Sequence, residues 1–262
     1  MRRVADDLAD RLAAVQRDFG RAATLFCGTA DAAAAIAASG KATDIVRVEA
    51  DPALLGDDGG VIAPPETVPL APESLGLAVS LLSLHEVNDV PGMLAQIRRA
   101  LRPDGLFLGV MAGAGTLSEL RESLIAAETE LTGGASARVY PFADVRDVGA
   151  LLQRAGLALP VVDVDEATVR YDTMFDLLRD LRAMGATGAL AGRSRKPATR
   201  ALFARAAQIY AERFSDPDGR VRASFNLVWM SGWAPDASQQ KPARRGSATV
   251  SLAEALKPRP GD

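Results

Sequence analysis

The chain has 262 residues, a net charge of -3 and 48% hydrophobic residues, the profile of a globular chain large enough for a full core. One histidine, His85, and one cysteine, Cys27, exclude an intrachain disulfide and a zinc site of several Cys and His ligands, and leave any histidine-based mechanism to His85. The charge shows no basic excess for nucleic acid, residues 75–84 fall far short of the roughly 20 apolar residues that span a bilayer, and residues 1–10 lack an apolar signal core, so a cytoplasmic protein without metal is expected.

In chain order, residues 4–19 set Leu8, Leu12, Val15 and Phe19 on one helical stripe. Residues 22–27 read as a short strand, and residues 31–39 as a helix closed by Gly40. Residues 45–50 and 61–63 read as two further strands. Residues 75–82 are almost wholly apolar, as a strand covered on both faces of a parallel sheet should be. A helix over 91–101 turns Met93, Leu94, Ile97 and Leu101 inward. Arg102-Pro103-Asp104-Gly105 reads as a turn into a buried strand over 105–111.

Beyond residue 111 the rhythm changes. Helices are predicted over 116–131 and 145–155, and an alternating strand over 161–169. Two more helices, 174–183 and 198–214, form an insertion at about 172–220, before a last strand over 225–233. Alternation of strand and helix predicts an α/β fold, an open sheet with helices on both faces. The domain is placed at 1–238, followed by a basic, mobile tail at 239–262.

Three stretches carry candidate chemistry. Residues 25–30, Leu-Phe-Cys-Gly-Thr-Ala, turn from strand to helix, where backbone N–H groups meet an anion or cofactor. Only one glycine stands where nucleotide folds place three, so an ordinary tight turn is an equal alternative. Glu49 lies about 20 residues further on, where such folds grip ribose hydroxyls. Its alternative is a solvated acid before the Asp51-Pro52 turn. Cys27, Gly28, Thr29, Glu49 and Ser80 are therefore the cofactor-site candidates. The third stretch, 80–89, leaves a buried strand at its carboxyl end, where ligands of open sheets bind. It offers His85, Glu86, Asn88 and Asp89 to the crevice. Glu86 or Asp89 suits a substrate guanidinium, and His85 suits orienting substrate or moving a proton. Trp229 and Trp233 read as core packing, and Arg244-Arg245 as either a contact for an acidic partner or a solvated tail.

The stretch LLSLHEVNDVPGMLAQIRRALRPDGLFLGVMAG resembles class I S-adenosylmethionine-dependent methyltransferases. It is most similar to their branch of complex I (NADH:ubiquinone oxidoreductase) assembly factors, and more distantly to the malonyl-carrier methyltransferase of biotin synthesis. GTLSELRESLIAAETELTGG, Tyr140-Pro141-Phe142, VGALLQRAGL, VDEATVRY, LLRDLRAMGATGAL and RRGSATVSLAEAL extend the likeness over about residues 5–256. The resemblance implies a mostly parallel seven-stranded Rossmann-like sheet with a helical insertion before the last strand. It implies a protein partner, a complex I core subunit modified on an arginine by hydroxylation in the best-described members.

The chain departs from the family at the cofactor turn. In place of Leu-Asp-Leu-Gly-Cys-Gly-x-Gly it has Thr24 for the acid, Phe26 for the first glycine and Ala30 for the last. Pro64 and Gly76 replace two further family acids, and Glu86 replaces a tryptophan. These losses predict weak, altered or absent S-adenosylmethionine binding. The leading reading is a methyltransferase-fold protein acting on a protein arginine. The alternatives are a conventional methyltransferase and a non-catalytic assembly protein on a degenerate fold.

Overall fold

A computed structural model describes residues 1–194 and 197–240. The basic tail falls outside those residues from 241 onward, and Arg244 and Arg245 with it. The chain opens with α1 (Arg2–Ala14), β1 (Gly20–Leu25), α2 (Asp31–Ser39) and β2 (Ala42–Glu49). A short α3 (Pro52–Leu55) and β3 (Val61–Ile62) lead to β4 (Leu75–Leu81), α4 (Val90–Ala100) and β5 (Leu101–Ala112). Then come α5 (Ser118–Thr132), α6 (Val145–Arg154), β6 (Ala158–Tyr171), α7 (Met174–Ala183), α8 (Arg200–Phe214) and β7 (Val221–Trp233).

The seven strands form one sheet in the order β3-β2-β1-β4-β5-β7-β6. The β1–β2, β1–β4, β2–β3 and β4–β5 pairs are parallel, and β7 runs antiparallel between β5 and β6. This is the expected mostly parallel Rossmann-like methyltransferase sheet, with α7 and α8 inserted before the last strand. Every residue of β4 is buried, because parallel strands carry helices on both faces.

Alternation along the strands feeds two apolar layers. Ala23, Leu25, Ala78, Phe107 and Met230 pack beneath Met93, Leu94 and Ile97 of α4 and Val148 and Leu152 of α6. On the opposite face Ala22, Leu77, Val79, Leu108 and Trp229 meet Leu8 and Leu12 of α1 and Ile36 of α2. A third cluster joins Leu120 and Leu124 of α5 to Leu177, Ile209 and Tyr210 of the insertion and Ala223 of β7. The tryptophans are core residues, as expected. Trp229 is fully buried under the Arg11 guanidinium, 4.3 Å from its ring centroid, and Trp233 packs against Phe19.

Two expected boundaries are corrected. The first helix stops at Ala14 rather than residue 19, with Val15 extended. Phe19 still reaches the same apolar layer because the chain turns back into β1 there. The turn expected at 102–105 is an irregularity inside β5, whose register against β4 slips between Leu75 and Leu77. Asp104 takes a left-handed φ of 59°, and this kink absorbs Pro103 without ending the strand. Among the described residues no helix is long and apolar enough to cross a membrane.

Candidate functional site

The carboxyl ends of β1, β2 and β4 hold the turn that sequence singled out. Gly28 has φ of +71° and open space where a Cβ would stand. Its N–H donates to both carboxylate oxygens of Glu49, at 3.1 and 3.2 Å. Glu49 is fully buried, and the Arg47 guanidinium lies 4.0 Å from it. Burial raises the Glu49 pKa against the lowering pull of the Gly28 N–H and Arg47.

Phe26, where the family pattern has glycine, keeps the left-handed backbone a glycine would choose, with φ of 53°. A side chain there costs about 1–2 kcal/mol. The ring is half-buried and packs on the α4-side layer, which offsets that cost. Leu82 repeats the geometry after β4, with φ of 56°. Strained residues of this kind cluster at functional edges of folds.

The other cofactor candidates turn inward. The Cys27 thiol is buried, accepts the Leu81 N–H at 3.3 Å, and is pushed by burial to a pKa of about 12. It is a packing thiol, inert as a nucleophile. Its side chain belongs to the apolar α1-side layer. Ser80 is buried and its hydroxyl bonds that of Ser83 at 2.9 Å. The Thr29 hydroxyl donates to Asp31 at 2.8 Å. Thr24, in the place of the family acid, has a buried hydroxyl with no hydrogen-bond partner among the described residues. Gly76 has its own reason: a Cβ there would collide with the backbone carbonyl of Phe19.

His85 and Glu86 lie in the single turn of 3-10 helix that follows β4. They line a cavity of about 330 Å³ whose lining residues do not include Gly28, Thr29, Glu49 or Ser80. Leu117, Leu120 and Leu124 form one wall, and Leu178, Leu181 and Phe203 of the insertion another. The segment 137–142 closes a third side. Three anchors fix that segment. Arg138 pairs with Glu128 at 2.6 Å, Arg121 donates to the Tyr140 carbonyl at 3.0 Å, and the Ala114 N–H donates to the Ala143 carbonyl at 2.8 Å. Arg138 and the Ser136 N–H hold the Glu128 carboxyl below the usual range.

The His85 ring stands 5.8 Å from Phe142, and Phe142 6.2 Å from Tyr140. Nδ1 of His85 accepts the Ala112 N–H at 3.4 Å, so the neutral ring carries its proton on Nε2. Burial lowers the His85 pKa, which keeps the ring neutral at pH 7. Glu86 is exposed and is the carboxylate among the cavity-lining residues.

Asn88 and Asp89 stand apart from this cavity. Asn88 donates through its N–H and side-chain amide to Glu66, at 2.8 and 2.7 Å. Asp89 caps α4 by accepting the Gly92 N–H at 2.9 Å. A cap residue has one oxygen committed to the helix, and Asp89 is not among the residues that line the cavity. Sequence reading missed Arg138, Leu117 and the whole insertion wall. Among the described residues no group of acids, His and Cys forms a metal site.

Comparison with known proteins agrees with this architecture. Residues 25–109 match a family described as a methyltransferase domain. The mitochondrial arginine-hydroxylase NDUFAF5 of Mus musculus is 41% identical over 260 residues, 97% of this chain and 76% of that protein. Its Danio rerio counterpart is 43% identical over 197 residues, 75% of this chain, and the match spans 61% of that relative's length. A malonyl-[acyl-carrier protein] O-methyltransferase of Laribacter hongkongensis is 37% identical over 181 residues, 69% of this chain and 58% of that protein. The structure of Haemonchus contortus phosphoethanolamine N-methyltransferase 2 in complex with S-adenosyl-L-methionine superposes with a TM-score of 0.53 at 16% identity, over 89% of this chain and 53% of that one. The cytoplasmic expectation is corrected, because the relatives reported above at more than 40% identity are mitochondrial proteins. Composition could not separate the two, since both compartments take water-soluble chains with polar surfaces.

Proposed function

Because the chain belongs to the family of the mitochondrial arginine-hydroxylase NDUFAF5, we propose that it acts on an arginine side chain of a protein partner. The observation that carries the reading is the cavity itself. Its apolar walls suit the aliphatic stem of an arginine, and Phe142 and Tyr140 offer aromatic faces to a planar cation. Glu86 supplies a carboxylate for the guanidinium fork. His85, neutral with Nδ1 engaged, presents an N–H donor that orients the bound group. The family resemblance makes a complex I core subunit the expected partner.

The residues around Gly28 do not fit a conventional S-adenosylmethionine cradle. Glu49 is buried against the Gly28 N–H, and Phe26 fills the place of a glycine. Calorimetry with millimolar S-adenosylmethionine tests this directly: no heat is expected, and a clear binding isotherm would restore the conventional methyltransferase.

Mass spectrometry of the partner subunit from a strain lacking this protein tests the arginine reading. Loss of an arginine modification is expected, and an unchanged arginine would sink it. His85→Ala and Glu86→Ala separate enzyme from scaffold. Folded variants that still support assembly of the partner complex would favour the non-catalytic alternative.

A further inference from the structure

Two arginines of the insertion side complete the cavity and are not used by the reading above. Arg182 ends α7, and Arg193 follows in the segment before α8. Both line the cavity and both are exposed. Neither has an ion pair among the described residues, whereas the third lining arginine, Arg138, is neutralised by Glu128. The unpaired charges of the lining are thus one carboxylate, Glu86, and two guanidinium groups. A chain of net charge -3 has in this cavity a local excess of positive charge.

An arginine side chain alone leaves that excess unanswered. We propose that Arg182 and Arg193 select substrates in which the target arginine has an acidic neighbour. The partner segment carries a guanidinium for Glu86 and a carboxylate for the insertion arginines. Arginine matches a carboxylate in a fixed, two-pronged geometry, so the pair reads position as well as charge. Charge complementarity of this type sets specificity and register more than raw affinity. The proposal rests on the arginine reading and adds the chemistry of the flanking residue.

The test uses the full chain and short synthetic peptides with one arginine flanked by aspartates, by asparagines or by lysines. Generic attraction to a chain of net charge -3 favours the lysine series. The proposal expects the reverse, with the aspartate series binding about fivefold more tightly than the asparagine series, the size of one to two exposed ion pairs. In Arg182→Gln/Arg193→Gln that preference disappears, and in Arg182→Glu/Arg193→Glu the lysine series becomes the tightest. Both residues are exposed, and circular dichroism confirms that the variants fold. Equal binding of the aspartate and asparagine series overturns the proposal while leaving the arginine reading intact. An acid preference that survives the charge reversal overturns it as well. Failure of every arginine peptide to compete better than its lysine-for-arginine control overturns the arginine reading itself.

Discussion

Two places along the carboxyl edge of one sheet have been built in opposite ways. Around Gly28 the backbone donor is already bonded to Glu49, the thiol of Cys27 is buried, and Phe26 packs where a glycine would leave room. Around His85 the chain leaves a cavity with unpaired charges and half-buried aromatic rings. The carboxyl end of β4 borders both, so the fold alone does not decide which of them is used. Hydrogen-bond satisfaction is the ground for the proposal that the His85 cavity is the working one: polar groups already paired inside the protein gain little from a ligand, and unpaired ones gain more.

The largest effect is expected at Gly76. Restoring an acid there, Gly76→Asp, forces a side chain into the Phe19 backbone and a charge into a strand buried on both faces. A loss of at least about 3 kcal/mol is expected in urea denaturation. A near-neutral result would show that the sequence departure there is a free choice.

Phe26→Gly sharpens the closed side. It removes the left-handed strain but loses the half-buried ring, and a net destabilisation of about 1–2 kcal/mol is expected. Combined with Ala30→Gly it is expected to give a calorimetric binding isotherm at millimolar S-adenosylmethionine, where the parent chain gives no heat. No gain would place the whole barrier in the Glu49–Gly28 contact. Asp89→Ala sharpens the open side. It is expected to cost about 1 kcal/mol through the lost α4 cap and to leave arginine-peptide binding unchanged. Weakened peptide binding would return Asp89 to the site.

The smallest effect is a pH dependence. His85 has a pKa below its ordinary 6.5 in the folded chain. Its contribution to stability is present above pH 6.5 and is lost as pH falls through the folded value. As the chain has one histidine, His85→Gln is expected to flatten the fall in urea midpoint between pH 8 and pH 5. Glu49 acts in the opposite sense. Its raised pKa makes a contribution that is full below its ordinary 4.5 and lost as pH rises through the folded value. Glu49→Gln should steepen the same fall. An unchanged slope in the His85 variant would contradict the neutral, buried ring.

The sheet was legible because its strands are short apolar runs set between helices, as the run 75–82 before the 3.6-period stretch 91–101. The kink in β5 was not, because Pro103 and Gly105 carry the same turn signal whether the strand stops or merely bulges. At the site, His85 and Glu86 were visible from their place after a buried strand. The rest of the cavity comes from segments between residues 117 and 203, which no local pattern brings together. Asp89 is ambiguous in sequence for a physical reason: an acid beside a crevice and an acid capping a helix have the same sequence appearance, and the Gly92 N–H shows the capping role.

The insertion helices and α5 share a hydrophobic cluster separate from the two layers against the sheet. That separation has a consequence for descent. Substitutions that reshape the cavity through Leu178, Leu181 or Phe203 act on this cluster, and their energies add to those of the sheet rather than multiplying its defects. A lineage can therefore change what the cavity accepts while inheriting the scaffold unaltered, and the two parts of the chain are free to diverge at different rates.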